Sequence, residues 1–451
     1  MILPACRLRL TVNIDRMTKE GKINPWLWIP TLYFAEGIPY FIVNNISVIM
    51  FNNMGMSKGD MAMYTSLLYL PWVVKPLWSP FVDIIRTKRW WIVAMQVVMS
   101  VAFGLLAMTL PSPSPEIIAS GHTPVSIFAV TLLIFWISAF ASATHDIAAD
   151  GFYMISLNQG DQSLFVGIRS TFYRLSSIFG QGVLVVIAGL LEKSMGDVPK
   201  AWSVTLVVAA LIFAATTLWH TFALPRPVED SSKMLGAKDV LKEFGRTFVT
   251  FFNKKHILVA MAFMLLYRLP EAFLVKMMNP FLLNPLSEGG LGLSTESVGI
   301  VYGTAGVAAL TAGGILGGIF ASRKGLKKSM WLMAAALTLP CLSFVFLSIY
   351  QPANIWVIGS CVVLDQFGYG FGFTAYMLYL IYFSEGAFKT AHYSLCTAFM
   401  ALSMMIPGML AGYVQEWLGY TGFFVFVMIC CIVTLVVTMF VKVEPEYGKR
   451  R

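Results

Sequence analysis

Several charged side chains of this chain stand deep inside long apolar stretches, where an unpaired charge costs several kcal/mol unless it is paired or wetted. Asp146 and Asp150 are four residues apart, so on a helix they share one face. Two carboxylates that close, in a low dielectric, are not expected both to ionise, which makes them a candidate proton site. Glu36 lies one turn before Pro39, and Glu271 follows Pro270 directly with Arg268 three residues back. A proline removes a backbone donor and frees a carbonyl, so a polar pocket can form where the helix bends. The Arg268 guanidinium is suited to a carboxylate, which it can grip with two parallel hydrogen bonds. Asp365 and Gln366 precede Phe367-Gly368-Tyr369-Gly370 in another apolar run. Asp146, Asp150, Glu36 and Asp365 are therefore candidates for carrying a proton. Arg268, Glu271, Lys75, Arg174, Gln366 and Tyr40 are candidates for holding a polar solute. Arg169 and Arg174 are the nearest basic partners of the aspartates in sequence, and permanent pairing to one of them is the structural alternative. Lys75, between Pro71 and Pro76, reads equally as a helix-packing anchor or a ligand. His392 is expected near a solvated helix end.

The segments that must position these groups follow from composition. Hydrophobic residues make up 57% and charged residues 12% of the 451, with mean hydropathy +0.73. Soluble domains carry about a quarter charged residues, so the surface itself must be apolar and the partner is a lipid bilayer. The net charge of +9 sits in short loops between apolar runs, not on a soluble basic face, and nucleic acid is set aside. Six cysteines show no metal-ligand spacing, and no cofactor is expected. Runs of about 20 apolar residues can cross a bilayer core. They occur near 28–50, 60–82, 90–110, 125–157, 165–191, 201–223, 256–283, 296–321, 329–350, 354–383, 389–415 and 421–442. The fold expected is all-α, with twelve transmembrane helices.

Placing both termini in the cytoplasm assigns 24 Lys and Arg to the inner segments and only Lys58, Lys193 and Lys200 to the outer loops. That asymmetry is the one cytoplasmic retention of basic residues produces. Residues 1–27 carry five basic residues and no apolar core of signal-peptide length, and are read as a cytoplasmic leader, with Met17 a possible start. The expected organisation is a six-helix bundle at 28–223, a cytoplasmic linker at 224–255 holding an amphipathic helix near 238–252, a second six-helix bundle at 256–442 and a tail at 443–451. The bundles echo each other. Pro39 and Pro270 fall in spans one and seven, and basic loops follow spans two and eight at an offset of 239 residues. Internal repeats of this size mark secondary transporters, with the solute between the halves near midplane. No HExxH, GxSxG or Walker-type loop occurs, and an enzyme is not expected. Gly313-Gly314-Ile315-Leu316-Gly317-Gly318 reads as close helix packing.

The loop Gly318…Ser322-Arg323-Lys324-Gly325-Leu326-Lys327-Lys328 resembles the signature of the major facilitator superfamily, lacking its Asp. The corresponding loop keeps Asp83, followed by Arg86, Lys88 and Arg89. Asp83, Arg86, Arg89, Arg323 and Lys327 are accordingly expected to form a cytoplasmic gate, a carboxylate at a helix end pairing with basic residues. Phe34-Ala35-Glu36-Gly37-Ile38-Pro39, Val74-Lys75-Pro76-Leu77-Trp78-Ser79-Pro80-Phe81-Val82-Asp83 and Ser142-Ala143-Thr144-His145-Asp146-Ile147-Ala148-Ala149-Asp150-Gly151 resemble the AmpG muropeptide permease family. Related acetyl-coenzyme A transporters share a run similar to the last, Q-D-I/V-A-V-D-G. His145 stands where that family usually has Gln. The resemblance implies proton-driven uptake, by a monomer in the inner membrane, of an amino sugar or muropeptide containing anhydro-N-acetylmuramic acid. Another organic solute, an oligosaccharide or an acyl-coenzyme A, is the alternative on the same fold.

Overall fold

A computed structural model describes residues 23–157, 159–227, 230, 237–385, 389–445, 447 and 448. The structure is helical throughout. Among the described residues, ten stretches are long and apolar enough to cross a membrane. The last of them, His392–Phe440, breaks at Gly419, whose positive φ of 67° divides it in two. A proline-rich pair of helices over 58–85 supplies one further crossing, which accommodates the expected twelve.

In chain order the first span is α1 (Ile29–Phe41), a wide turn at Ile42–Ile46, and α2 (Ser47–Asn53). The second is α3 (Lys58–Leu67) and α4 (Leu70–Ile85), and the third is α5 (Lys88–Thr109). A short surface helix, α6 (Pro115–Ser120), leads to α7 (Ala129–Ser156), the fourth span. The fifth comprises α8 (Gln159–Ser177), another wide turn and α9 (Val185–Met195), and the sixth is α10 (Val198–Ala223). The linker contains α11 (Ala237–Phe252), where the amphipathic helix is expected. Its Phe251 is fully buried and stacks on Phe399 at 6.2 Å. The seventh span is α12 (Ile257–Leu266) and α13 (Leu269–Leu283). The eighth is α14 (Thr295–Val298), a wide turn at Gly299–Gly306 and α15 (Val307–Lys324). Then come α16 (Leu326–Thr338) with α17 (Leu342–Tyr350), α18 (Ile355–Ser384) and α19 (Lys389–Phe440).

Helices immersed in lipid gain little from burying apolar surface, so close approach of backbones must hold them. Small residues permit it. The glycine run of α15 packs on α18: a Cβ on Gly313 would lie 2.1 Å from the Phe367 carbonyl oxygen. Gly303, in the wide turn of the eighth span, meets the fifth, where a Cβ would lie 1.9 Å from the Gln181 carbonyl oxygen. Helix ends are satisfied locally. The Asp230 carboxylate accepts the backbone N–H groups of Lys88 at 2.7 Å and Arg89 at 3.0 Å, closing the N-terminus of α5. Such a cap satisfies orphan donors and opposes the positive end of the helix dipole.

Gly303→Ala must push the fifth and eighth spans apart, because the atoms it meets are backbone. Overpacking of this kind costs about 1–3 kcal/mol. A thermal melt of the purified variant in detergent should shift several degrees down, whereas Gly104→Ala, with open space around it, should leave the melt unchanged.

Candidate functional site

The seventh span is not continuous. Helix α12 stops at Leu266, and α13 restarts at Leu269 with Pro270 in its first turn, where the missing N–H costs nothing. Arg268 caps the restart. Its guanidinium donates to the Tyr369 hydroxyl of α18 and lies over the rings of Phe373 at 4.7 Å and Tyr369 at 5.5 Å. Glu271, one turn on, is 1% exposed. Neither of its carboxylate oxygens has a hydrogen-bond partner among the described residues, nor does Nε of Arg268. The two residues share a helix, yet they form no ion pair. Both groups face a cavity of about 380 Å³.

That cavity is lined by all six residues the sequence singles out for holding a solute: Tyr40, Lys75, Arg174, Arg268, Glu271 and Gln366. They come from the first, second, fifth, seventh and tenth spans. Sequence reasoning missed the rest of the wall, among them Tyr69, Trp72, Tyr173, Gln181, Tyr302 and Phe373. Aromatic residues are common in any such bundle, and no spacing rule separates the ones that face inward. Tyr40 packs edge-on against Trp72 at 5.2 Å and Tyr69 at 6.2 Å, so the ring wall is preformed.

Deeper toward the termini, each aspartate has its own cation. Lys75 donates to Asp146 at 2.6 Å, and Arg169 pairs with Asp150 at 2.8 Å. The Tyr33 hydroxyl also donates to Asp150 at 3.3 Å, while the Arg169 guanidinium stacks over Tyr33 at 4.5 Å. Of the two arginines that the sequence offers as partners, Arg169 is the one that pairs with an aspartate among the described residues. Arg174 is one and a half turns beyond Arg169 and lies against Gly314 of α15, on the cavity wall. Lys75 takes the place beside Asp146, because α4 packs on α7. Glu36 is buried with Oε2 unpartnered. Asp365, 1% exposed, accepts from the Gln366 amide at 3.2 Å. His145 faces away from the aspartates into a buried chain that sequence reading did not foresee. It bonds Gln96 at 2.9 Å, Gln96 bonds His220 at 3.0 Å, and His220 bonds Thr31 at 2.9 Å. His392 is 2% exposed and packs on Phe251, not solvated as expected, because α11 folds over it.

The expected gate residues are spread out. The Asp83 side chain lies outside the described residues. Arg86 stacks on Trp90 at 5.8 Å, and Arg89 donates to the Leu224 and Thr221 carbonyls at 3.2 and 2.5 Å, capping the end of α10. Arg323 and Lys327 are exposed. Polar links between residues before 224 and those after 256 gather instead at the end opposite the termini. Asn53 donates to Glu192 and Thr295 at 3.0 and 2.9 Å, and the Thr295 hydroxyl donates to Glu192 at 2.6 Å. Lys193 pairs with Glu296, Lys58 with Glu288 at 3.2 Å, and the Gly59 N–H donates to Glu416 at 2.7 Å.

The Lys75–Asp146 pair is four-fifths buried. Removing one partner leaves an uncompensated charge, costing up to about 3 kcal/mol, whereas removing both leaves none. Lys75→Ala should therefore lower the melting temperature more than Lys75→Ala combined with Asp146→Asn; a double variant at least as unstable as the single would deny the pairing.

Comparison with known proteins places this arrangement. The chain is 23% identical over 394 residues to the anhydromuropeptide permease of Escherichia coli, covering 86% of this chain and 73% of that one. It is 23% identical to a Rickettsia conorii protein that carries the name AmpG 4, over 95% of this chain and 99% of its relative. Among solved structures, a D-xylose–proton symporter matches with a TM-score of 0.68 at 13% identity, covering 94% and 98% of the two chains. The nucleoside transporter NupG matches with 0.63 at 16%, covering 92% and 98%. At such identities the structures speak for the fold alone. A family model, Major Facilitator Superfamily, matches residues 31–387. With that match across most of its length, and a helical bundle of the same fold, this chain belongs to the Major Facilitator Superfamily and is a membrane transporter, not an enzyme.

Proposed function

We propose that the chain is a proton-coupled importer of a peptidoglycan-derived amino sugar or muropeptide, working by alternating access as a monomer in the inner membrane with both termini cytoplasmic. The observation that carries this reading is the cavity at the break in the seventh span. It presents Arg174, Arg268 and Lys75 beside an aromatic wall of Tyr40, Tyr69 and Trp72. Guanidinium groups suit a carboxylate, and flat aromatic faces suit a sugar ring. The likeness to the anhydromuropeptide permease supports the solute class. Residues 28–223 and 256–442 act as the two rocking bundles, joined by the linker at 224–255. Polar links at the end opposite the termini hold the outer side shut, so the cavity communicates with the cytoplasmic side in this state. Asp146, Asp150, Glu36 and Asp365 supply protonatable groups within the bundle, and a proton taken up at Asp150 would release Arg169.

Uptake of radiolabelled N-acetylglucosamine–anhydro-N-acetylmuramic acid into vesicles should rise when the outside is made acidic and collapse with an uncoupler. Asp150→Asn should abolish gradient-driven accumulation while counterflow exchange survives. Equal loss of both activities with poor expression would make Asp150 structural. Orientation is checked separately. In sealed cells a thiol probe should label a cysteine placed in 111–124 and miss one in 224–255; the reverse pattern overturns the assignment that rests on the basic-residue asymmetry.

A further inference from the structure

Lys276 is the buried charge for which the cavity and the aspartate pairs give no use. It sits in the middle of α13, 2% exposed, with Leu274, Met277 and Met278 as buried apolar neighbours in sequence. The other lysines at depth or at the closed end meet carboxylates: Lys75 meets Asp146, Lys58 meets Glu288 and Lys193 meets Glu296. Lys276 meets none. Its Nζ donates to the Thr65 hydroxyl at 3.1 Å, and that hydroxyl in turn donates to the Met61 carbonyl at 2.7 Å. The Tyr69 ring lies 5.2 Å from Nζ. Around it, α3 presents Thr65 and Ser66, the joint of α3 and α4 presents Tyr69, and α19 presents Gly408, whose added Cβ would lie 3.3 Å from the lysine Cε. The one other charge on α13, Glu271, is five residues back, about 140° round the helix. Among the described residues, the Tyr69 phenol is the one titratable group set against the amine from a neighbouring element.

The position matters because of what covers it. Helices α3, α13 and α19 pack together here. Gly59 meets Tyr413, Gly412 meets Lys58 and Gly408 meets Ser66, so α3 and α19 seal the lysine from the end opposite the termini. This seal is the interface that must part if the cavity is ever to open toward that end. An ammonium left with one hydroxyl partner in a dry site is penalised by several kcal/mol, and the penalty vanishes when the site is wet.

We propose that Lys276 is the group that ties closure of this end to proton movement. With α3 parted from α13 and α19, water reaches Nζ and the side chain is an ammonium. As they close, an N–H bond of the ammonium breaks, the electron pair stays on nitrogen and the proton passes to water on the cavity side, where Tyr69, whose ring faces Nζ, is part of the wall. The neutral amine then keeps its hydrogen bond to Thr65. Protonation opposes closure, and closure expels the proton. This deepens the proton-coupled reading above and rests on it.

Spin labels on His122→Cys and Ala353→Cys, two exposed sites at the closed end, report the separation by electron–electron resonance in the full-length protein reconstituted in nanodiscs. Acidifying the protein should shift the distance distribution to longer values. Lys276→Gln, always neutral, should stay short at every pH, and Lys276→Arg, always charged, should stay long at every pH. A Lys276→Gln protein that still lengthens on acidification overturns the proposal. So does a wild-type distribution that ignores pH, a result that needs no variant to fold. If wild-type vesicles accumulate the muropeptide with the gradient while the distance ignores pH, Lys276 alone is dismissed; if uptake ignores the gradient, the coupled reading itself falls.

Discussion

In hydrocarbon an ionisable side chain must find an opposite charge, a hydrogen-bond partner or water, and that demand organises this bundle from the inside. Lys75 reaches across from α4 to Asp146 on α7, and Arg169 reaches from α8 to Asp150. Each pair ties two helices that lipid alone would not hold together. Arg268, placed at the break between α12 and α13, finds the Tyr369 hydroxyl and ring faces instead of a carboxylate. Arg174, Arg268 and Glu271, which form no ion pair among the described residues, border the cavity together with the paired Lys75.

The same economy governs the backbone. The seventh span is interrupted at Tyr267 and Arg268, and the first, fifth and eighth contain wide turns at Ile42–Ile46, Ile178–Leu184 and Gly299–Gly306. Irregular backbone at membrane depth survives only where protein or a wet cavity surrounds it. Here the irregular segments of the fifth and eighth spans pack on each other, with Gly303 against Gln181 and Gly182. Close glycine contacts and a polar cluster around Glu192 therefore lie on one interface. Hydrogen bonds and small-residue contacts of this kind are exchanged for water and looser packing at modest cost when an interface parts.

With the polar cluster formed at the end opposite the termini, the described residues around the first basic loop serve helix ends. Arg89 closes the C-terminus of α10, and Asp230 closes the N-terminus of α5. These residues serve helix ends in this state, where orphan carbonyls and amides demand them. Carboxylates that bridge the two parts of the chain are Glu192, Glu288, Glu296 and Glu416, all in short loops or helix ends that carry no recognisable motif.

Much was legible in the sequence because solvent choice is written in composition. The apolar runs defined the spans, the breaks before Pro270 and at Gly419 fall at residue types that weaken a helix, and most candidate residues from Tyr40 to Gln366 were found because charged and amide groups in lipid are conspicuous one at a time. Pairing was not legible. Lys75 and Asp146 are 71 residues apart, and nothing local chooses between Lys75, Arg169 and Arg174 as partners. That choice belongs to which helices pack and how they are rotated, set by glycine contacts such as Gly313 on Phe367. For the same reason the His145–Gln96–His220 chain and the isolation of Lys276 could not be foreseen. The sequence determined which residues are costly in a membrane; the tertiary structure decided which of them were given a partner, because a hydrogen bond needs two groups within about 3 Å and only the packed bundle brings distant residues that close.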